Sequence, residues 1–298
     1  MMTNIPLYCV ECGNELKDLQ CVSCKKKYSI SNEIPILLNS EDMQSELFKK
    51  YINNYEVIAC DDIQKDILGA SYRKAQAKKI ISYCGKKILG RVLDVGSGKG
   101  VLLKLIPHAR KMGVDISMHY MNMLRNEGLS CVFANSENLP FNATFDLIIL
   151  TDILEHVFDP EKTLKSVYKA LKPDGMFIVR VPYKENLNQY SRESGCPYEF
   201  VHLRVFDEDV LSKYISNAGF KIIKMHYDGY WFERIIRTHK DFFKIIIMKI
   251  IYKLFLLSKK INVKYEDWDN LIHNLPNKFA KLFFQPTELV IVGVKKRK

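Results

Sequence analysis

No run of about eighteen uninterrupted apolar residues occurs in this 298-residue chain, so a plain membrane-spanning helix is not expected. The opening residues, Met1 to Cys9, have neither a basic start nor an apolar stretch behind it, so no secretory leader is expected. Glycine (14) and proline (10) are scarce, which excludes a collagen-like or low-complexity chain. Eight cysteines are too few for a disulfide scaffold. Four of them crowd between Cys9 and Cys24, as in a metal site kept in a reducing compartment. The chain is therefore read as cytoplasmic, with a peripheral place at the inner membrane face as the variant of that reading. What is abundant is apolar and basic character: 47% hydrophobic residues, and 45 Lys+Arg against 34 Asp+Glu for a net charge of +11. That balance allows a sizeable core and favours anionic neighbours such as nucleic acid, nucleotides or a lipid surface.

The cysteines follow Cys9-x2-Cys12-x8-Cys21-x2-Cys24. Two short knuckles of this kind present four thiolates to one tetrahedral Zn²⁺, and four sulfurs leave no position for water, so the ion would be structural. A redox dithiol pair is the competing reading. The expected organisation is a zinc ribbon over 1–40, a helical lead-in over 41–90 and a third region over 91–298. Within the lead-in, 41–66 and 71–84 are expected to be helical. The run Lys25-Lys-Lys27 is either a weak nucleic-acid contact or a solvated face.

From 91 onward the texture changes. Strand-like runs at 91–95, 111–116, 130–134, 145–151, 175–182, 220–227 and 287–294 alternate with helix-like runs at 101–106, 117–126, 160–171 and 207–217. Strands alternating with helices predict a mostly parallel sheet covered on both faces. Pro173-Asp-Gly175 is expected to separate the third of those helices from the strand after it.

Val92-Leu-Asp-Val-Gly-Ser-Gly-Lys-Gly100 carries most of the functional information. A buried strand delivers Asp94 to a turn whose glycines let backbone approach a ligand, where open parallel sheets bind theirs. A P-loop is excluded, because Gly98-Lys99 is followed by Gly100 and too few residues precede it. Some twenty residues on, Gly113-Val-Asp115 ends the next strand with a carboxylate placed to accept from two ribose hydroxyls. The bland alternative for Asp115 is the N-cap of the following helix.

At these residues the chain resembles a class I S-adenosylmethionine-dependent methyltransferase, of the group sharing the ubiquinone-biosynthesis-type methyltransferase domain. The resemblance runs from about 71 to 227 and is completed by the strand at 287–294. It implies an α/β fold with a doubly wound, Rossmann-like, seven-stranded, mostly parallel sheet, its last strand antiparallel and inserted beside the fifth. The zinc ribbon would precede that sheet, and a helical insertion over 231–285 would come before the last strand. NAD dehydrogenases also use a glycine loop and a ribose carboxylate, but Gly96-x-Gly98-x-Gly100 departs from their G-x-G-x-x-G.

The resemblance implies cofactor contacts from Asp94, Gly96, Ser97, Gly98, Asp115, Ile116 and Thr151, and adenine contacts from Asn135, Ser136 and Glu137. Asn135 stands where the family usually has Asp, and Asp174 where Gly is more usual. Arg73 would meet the methionine carboxylate of the cofactor, or else is a solvated helix-face residue. Methyl transfer from a sulfonium needs positioning above all, and a general base only for a hydroxyl or protonated amine acceptor. His156 and His202 are the candidates for that base, against a structural reading for each. Glu155 is expected to cap the turn that follows it.

Between 231 and 264, nine basic residues face two acidic ones along an apolar stretch broken by Lys244, Lys249 and Lys253. Such a helix would lie on an anionic membrane surface, or pack on the sheet or on a second subunit. The expected function is methyl transfer to a small or carrier-linked metabolite: a sugar, lipid or quinone precursor. The alternatives are an RNA base methyltransferase using the ribbon and the basic surface, and a non-catalytic module that binds cofactor or a partner.

Overall fold

The computed structural model describes residues 5–65, 70–108, 110–229 and 286–296, together with six isolated positions between 246 and 257. The basic stretch 231–264 and the insertion 231–285 therefore lie outside the described residues, apart from those positions. Among the described residues no helix is long and apolar enough to cross a membrane.

The N-terminal segment folds into two small hairpins. β1 (Leu16–Lys17) pairs with β2 (Gln20–Cys21), and β3 (Ser29–Ser31) pairs with β4 (Ile34–Leu37), both antiparallel. The first expected helix of the lead-in, 41–66, is two helices, α1 (Ser40–Gln44) and α2 (Glu46–Lys65), because Ser45 takes an extended conformation between them. Asn39 caps α1 by accepting from the Asp42 amide. α3 (Ala70–Tyr83) follows.

The α/β rhythm then runs β5 (Val92–Val95), α4 (Val101–Leu105), β6 (Lys111–Asp115), α5 (Met118–Asn126), β7 (Ser130–Ala134) and β8 (Phe145–Thr151). It continues with α6 (Pro160–Ala170), β9 (Leu171–Pro182), α7 (Glu208–Asn217), β10 (Phe220–Asp228) and β11 (Glu288–Lys295). Runs such as Val92-Leu-Asp-Val and Phe145-Asp-Leu-Ile-Ile-Leu become strands because both faces are covered, and every residue of β5 is buried. Asp159 caps α6 with Pro160 in its first turn, so the cap belongs to Asp159 and not to Glu155. β9 begins four residues earlier than the 175–182 run. Leu171 pairs with Phe145, the ladder slips, and pairing resumes at Leu147 and Met176 across a bulge in which Asp174 has φ of +58°.

The sheet order is β10-β11-β9-β8-β5-β6-β7-β4-β3. The seven expected strands are present, with β11 antiparallel between β9 and β10. Two more strands extend the sheet, because β4 pairs parallel to β7 through Ile36 with Phe133 and Leu37 with Ala134. The N-terminal segment thus closes an edge that β7 would otherwise expose. One apolar cluster on each side of the sheet holds the helices, one centred on Phe141, Phe145 and Phe177 and the other on Ile80, Leu103 and Met121.

Candidate functional site: a covered cavity at the strand ends

The C-terminal ends of β5, β6, β7 and β8 open on a cavity of about 410 Å³. Asp94, Gly96, Ser97, Gly98, Asp115, Ile116, Asn135, Ser136, Glu137, Thr151, Arg73 and His156 all line it. His202 does not; its ring stands edge-on to His156, with centroids 4.6 Å apart.

Gly96 follows β5 with φ of +70°, and a Cβ there would lie 1.8 Å from Ile153 Cδ1, so any other residue would be strained and would force Ile153 to shift. Gly98 also has positive φ, but a Cβ built on it meets nothing within 4 Å. Its backbone is therefore bare toward open space. Its amide donates to Asp115 Oδ2 at 3.0 Å, while Asp115 Oδ1 accepts from the amides of Ile116 and Ser117. Asp115 is not the N-cap of α5, because Ser117 fills that place by accepting from Tyr120. Burial pushes the Asp115 carboxyl up to about 6 against the pull of those amides. Burial first, and then the neighbouring Asp115, pushes Asp94 up to about 8.

The turn after β7 is built around Asn135. Its Oδ1 accepts from the Glu137 amide, and its Nδ2 donates to Asp42 Oδ1 at 3.1 Å. A carboxylate from α1 thus stands behind the neutral residue, a contact that no local spacing could reveal. Glu137 accepts from the Asp159 amide, and burial raises its carboxyl above the usual range. Asn138 donates to the carbonyl of Val10, and the Tyr8 amide donates to Pro140, so the N-terminal segment holds this turn from outside.

Arg73 comes from α3 and pairs with Asp62 of α2, which also meets Lys99. Arg180, at the end of β9, is buried and bidentate to Asp152, with Glu288 at 3.9 Å. Arg180, Asp152 and Lys99 also line the cavity and were not singled out from the sequence. For Arg180 the signal was available: it ends a parallel strand on the side where such sheets bind ligands.

Aromatic side chains also line the cavity. Tyr51 and Tyr55 of α2 line it with Tyr198 and Val201 of the connection between β9 and α7. Tyr55 Oη donates to the Phe200 carbonyl at 3.0 Å, Tyr198 Oη to Asp61 at 2.6 Å, and the Glu199 amide to Asn54 at 3.0 Å. Arg204 pins the turn beneath through the carbonyls of Leu154, Val157 and Phe158. His156 Nδ1 meets the Val201 carbonyl, and burial, followed by the nearby His202, pushes its imidazole down to about 3, so the ring is neutral. Glu155 is wholly buried, and neither of its oxygens caps a turn.

The four N-terminal sulfurs lie within 4.8 Å of one another, with Cys9 and Cys24 at 3.5 Å and Cys12 and Cys21 at 3.4 Å. Sulfurs about 2.3 Å from one tetrahedral ion lie about 3.8 Å apart, so small shifts would suit the set to zinc. The Asn14 side chain donates to Cys12 Sγ and helps bring that thiol down, while burial and the neighbouring sulfurs push Cys24 up.

A family described as "Methyltransferase domain" matches residues 70–225. An uncharacterized protein of Methanocaldococcus jannaschii is 32% identical over 138 residues, covering 45% of this chain and 66% of that protein. The ubiquinone/menaquinone biosynthesis C-methyltransferase UbiE of Klebsiella pneumoniae is 28% identical over 221 residues, covering 62% of this chain and 86% of that enzyme. UbiE of Vibrio vulnificus is 31% identical over 141 residues, covering 42% of this chain and 54% of that enzyme. The chain thus spans just over half to six-sevenths of these relatives' lengths. Among solved structures, a chain from a Haloferax volcanii complex containing the Trm112 methyltransferase activator matches with a TM-score of 0.56 at 17% identity. That match covers 83% of this chain and 98% of the other. An S-adenosylmethionine-dependent methyltransferase structure from Thermotoga maritima matches with a TM-score of 0.53 at 18% identity, covering 81% and 100%. At such identities these two show the shared fold.

Proposed function

The chain belongs to the methyltransferase-domain family, and from that premise we propose that it methylates a small or carrier-linked metabolite, a sugar, lipid or quinone precursor. S-Adenosylmethionine is the family's cofactor and supplies an electrophilic methyl group. The chain's own residues then have to hold two partners in line and keep water out, and positioning of that kind can lower a barrier by about 7–11 kcal/mol.

In this reading Asp115 holds the ribose hydroxyls and the turn at Asn135, Ser136 and Glu137 holds the adenine. The bare backbone at Gly96–Gly98 and the Arg73 guanidinium receive the methionine end. The fit rests on a buried carboxylate at the end of β6, a glycine turn open toward the cavity, and a polar turn one strand further on. Of the two proposed bases for a hydroxyl or amine acceptor, His156 lines the cavity but is a weak base, with its imidazole pushed down to about 3. His202 stands against it outside the lining. With Nδ1 of His156 directed at a carbonyl, only its Nε2 is available to take a proton.

The observation that carries the substrate class is the aromatic part of the cavity wall. α2 and the segment through Tyr198–Val201 are hydrogen-bonded to each other there, and such a wall suits a compact acceptor better than a base within a long polynucleotide. The names of the UbiE relatives, enzymes of quinone biosynthesis, point to the same class. In the N-terminal segment, Cys9, Cys12, Cys21 and Cys24 would hold a structural Zn²⁺ and so supply the stability that a segment with little core lacks.

Calorimetry with S-adenosylhomocysteine tests the cofactor site. Wild type should bind, and Asp115→Ala should lose about 10- to 100-fold in affinity, as expected for removing a charged acceptor worth about 1.5–3 kcal/mol. No heat with wild type would end the reading. Methyl-labelled donor incubated with cell extract tests the acceptor. Label in extractable small molecules supports the proposal, whereas label in RNA, with binding that falls steeply as salt rises, would replace it with the RNA reading. Co-sedimentation with anionic vesicles tests whether 231–264 serves a membrane surface.

A further inference from the structure

A second group of ligating side chains stands behind the acceptor end, apart from the cysteine quartet. Glu155, His156 and His202 bring one carboxylate oxygen and two ring nitrogens within 4.8 Å of one another. The Glu155 side chain is 1% exposed, and neither oxygen has a hydrogen-bond partner among the described residues. A buried carboxylate with both oxygens orphaned is costly and calls for an occupant.

The neighbouring ring sharpens the problem. His156 Nδ1 faces the Val201 carbonyl, which can only accept, so Nδ1 carries the hydrogen and Nε2 of the neutral ring presents a lone pair. That lone pair looks at Glu155 Oε1 across 3.8 Å. The gap is too wide for a hydrogen bond, which closes at about 2.7–3.0 Å. It does match two ligands of one ion, since bonds of about 2.0–2.2 Å set neighbouring donors roughly 3–4 Å apart. His202 completes the corner. Its Nδ1 is held by Glu185 Oε1 at 2.5 Å, and the two side chains are 12% and 6% exposed. A carboxylate behind a histidine is the usual device for orienting a metal-bound imidazole.

We propose that Glu155, His156 and His202 form a binding site for a divalent first-row transition ion, separate from the N-terminal cysteines and oriented by Glu185. Two imidazoles and one carboxylate suit Zn²⁺, Co²⁺, Fe²⁺ or Mn²⁺ rather than Ca²⁺ or Mg²⁺. Three protein ligands leave at least one coordination position open. His156 also lines the cavity, so the ion would lie against the space left for the acceptor.

Mn²⁺ distinguishes this site from the cysteines, because thiolates favour softer ions. Titration of the full-length, zinc-loaded protein followed by electron paramagnetic resonance should show one bound Mn²⁺ per chain. Glu155→Gln and His202→Ala should each weaken that binding at least tenfold while retaining S-adenosylhomocysteine binding as a check on the fold. Saturation with Zn²⁺ followed by metal analysis should give two ions per chain in wild type and one in either variant. Undiminished Mn²⁺ binding in both variants would overturn the assignment. If the variants fail to fold, wild type decides alone: a single Zn²⁺ per chain with no Mn²⁺ bound would also overturn it.

Discussion

The two ends of the cavity are held in different ways. At the end proposed for the donor the wall is mostly main chain and strand ends. Asp94 lies in β5 with Gly96 and Gly98 just after it, Asp115 closes β6 and Asn135 follows β7, and strands buried on both faces fix them all in register. At the end proposed for the acceptor the wall is side chains from three distant stretches. Tyr51 and Tyr55 come from α2, His156 from the turn after β8, and Tyr198 and Val201 from the connection after β9. Hydrogen bonds from side chains to main chain join them, such as Tyr55 to Phe200 and Arg204 to Leu154, Val157 and Phe158. A sheet-held wall suits a ligand that never changes. A wall of loops and helix faces can be rebuilt residue by residue, which is where a change of acceptor would be written.

The largest expected effect tests whether the donor end is as self-contained as the sheet suggests. β4 pairs with β7, Val10 and Tyr8 hold the turn after β7 at Asn138 and Pro140, and Asp42 holds Asn135. If the four cysteines carry zinc, stripping it removes about 10–16 kcal/mol of apparent binding free energy from the segment that makes these contacts. Hydrogen exchange should then lose protection over 29–37 and 134–138, and S-adenosylhomocysteine affinity should fall at least tenfold. Affinity unchanged after complete zinc loss would show that the donor end stands without its N-terminal buttress.

Next in size is Gly96→Val. The turn requires φ of +70°, and the new side chain would collide with Ile153. Left-handed strain in a β-branched residue and overpacking together should cost about 2–5 kcal/mol in denaturant unfolding. A cost below about 1 kcal/mol would mean that the turn and Ile153 are far less tightly coupled than their separation indicates. The acceptor end should answer more gently. Arg204→Met keeps the apolar stem but leaves three carbonyls of the turn after β8 without their donor, worth about 2 kcal/mol. Thermal unfolding measures that loss, and an equal loss of S-adenosylhomocysteine affinity would blur the distinction between the two ends.

The same contrast explains what could be read from the sequence. The cysteine quartet, the glycine turn, Asp115 and the seven strands are each encoded in short stretches, where period, spacing and turn chemistry act locally. Residues held by contacts between about ninety-seven and 145 positions apart left no such trace. Examples are the pairing of Ile36 with Phe133, Tyr51 against the His156 carbonyl, and Tyr55 against Phe200. The cap is Asp159, four residues beyond Glu155, and the burial of Glu155 depends on tertiary packing that its local sequence does not encode. His156 was singled out from its place after β8, but its partnership with His202 and Glu185 needed the connection after β9 to fold back.

The smallest effect concerns the charge at the donor end. Burial holds the Asp115 carboxyl up to about 6, above the ordinary value of about 3.9. Between those two values the folded chain keeps a proton that the unfolded chain has released, so this group's contribution to stability falls as pH rises through that window. Cofactor binding runs the opposite way. In the proposed role two ribose hydroxyls donate to Asp115 and do so best to the ionised carboxylate, so S-adenosylhomocysteine affinity should climb about tenfold, or about 1.4 kcal/mol, from pH 5 to pH 7. Asp94, pushed up to about 8 beside it, faces the same space and could add a shallower slope above pH 7. Calorimetry on wild type and Asp115→Asn separates the two groups. The variant should bind more weakly and lose the rise below pH 7, whereas the same rise in both proteins would move the titrating group away from Asp115 and leave the sheet-held end with a different anchor for the sugar.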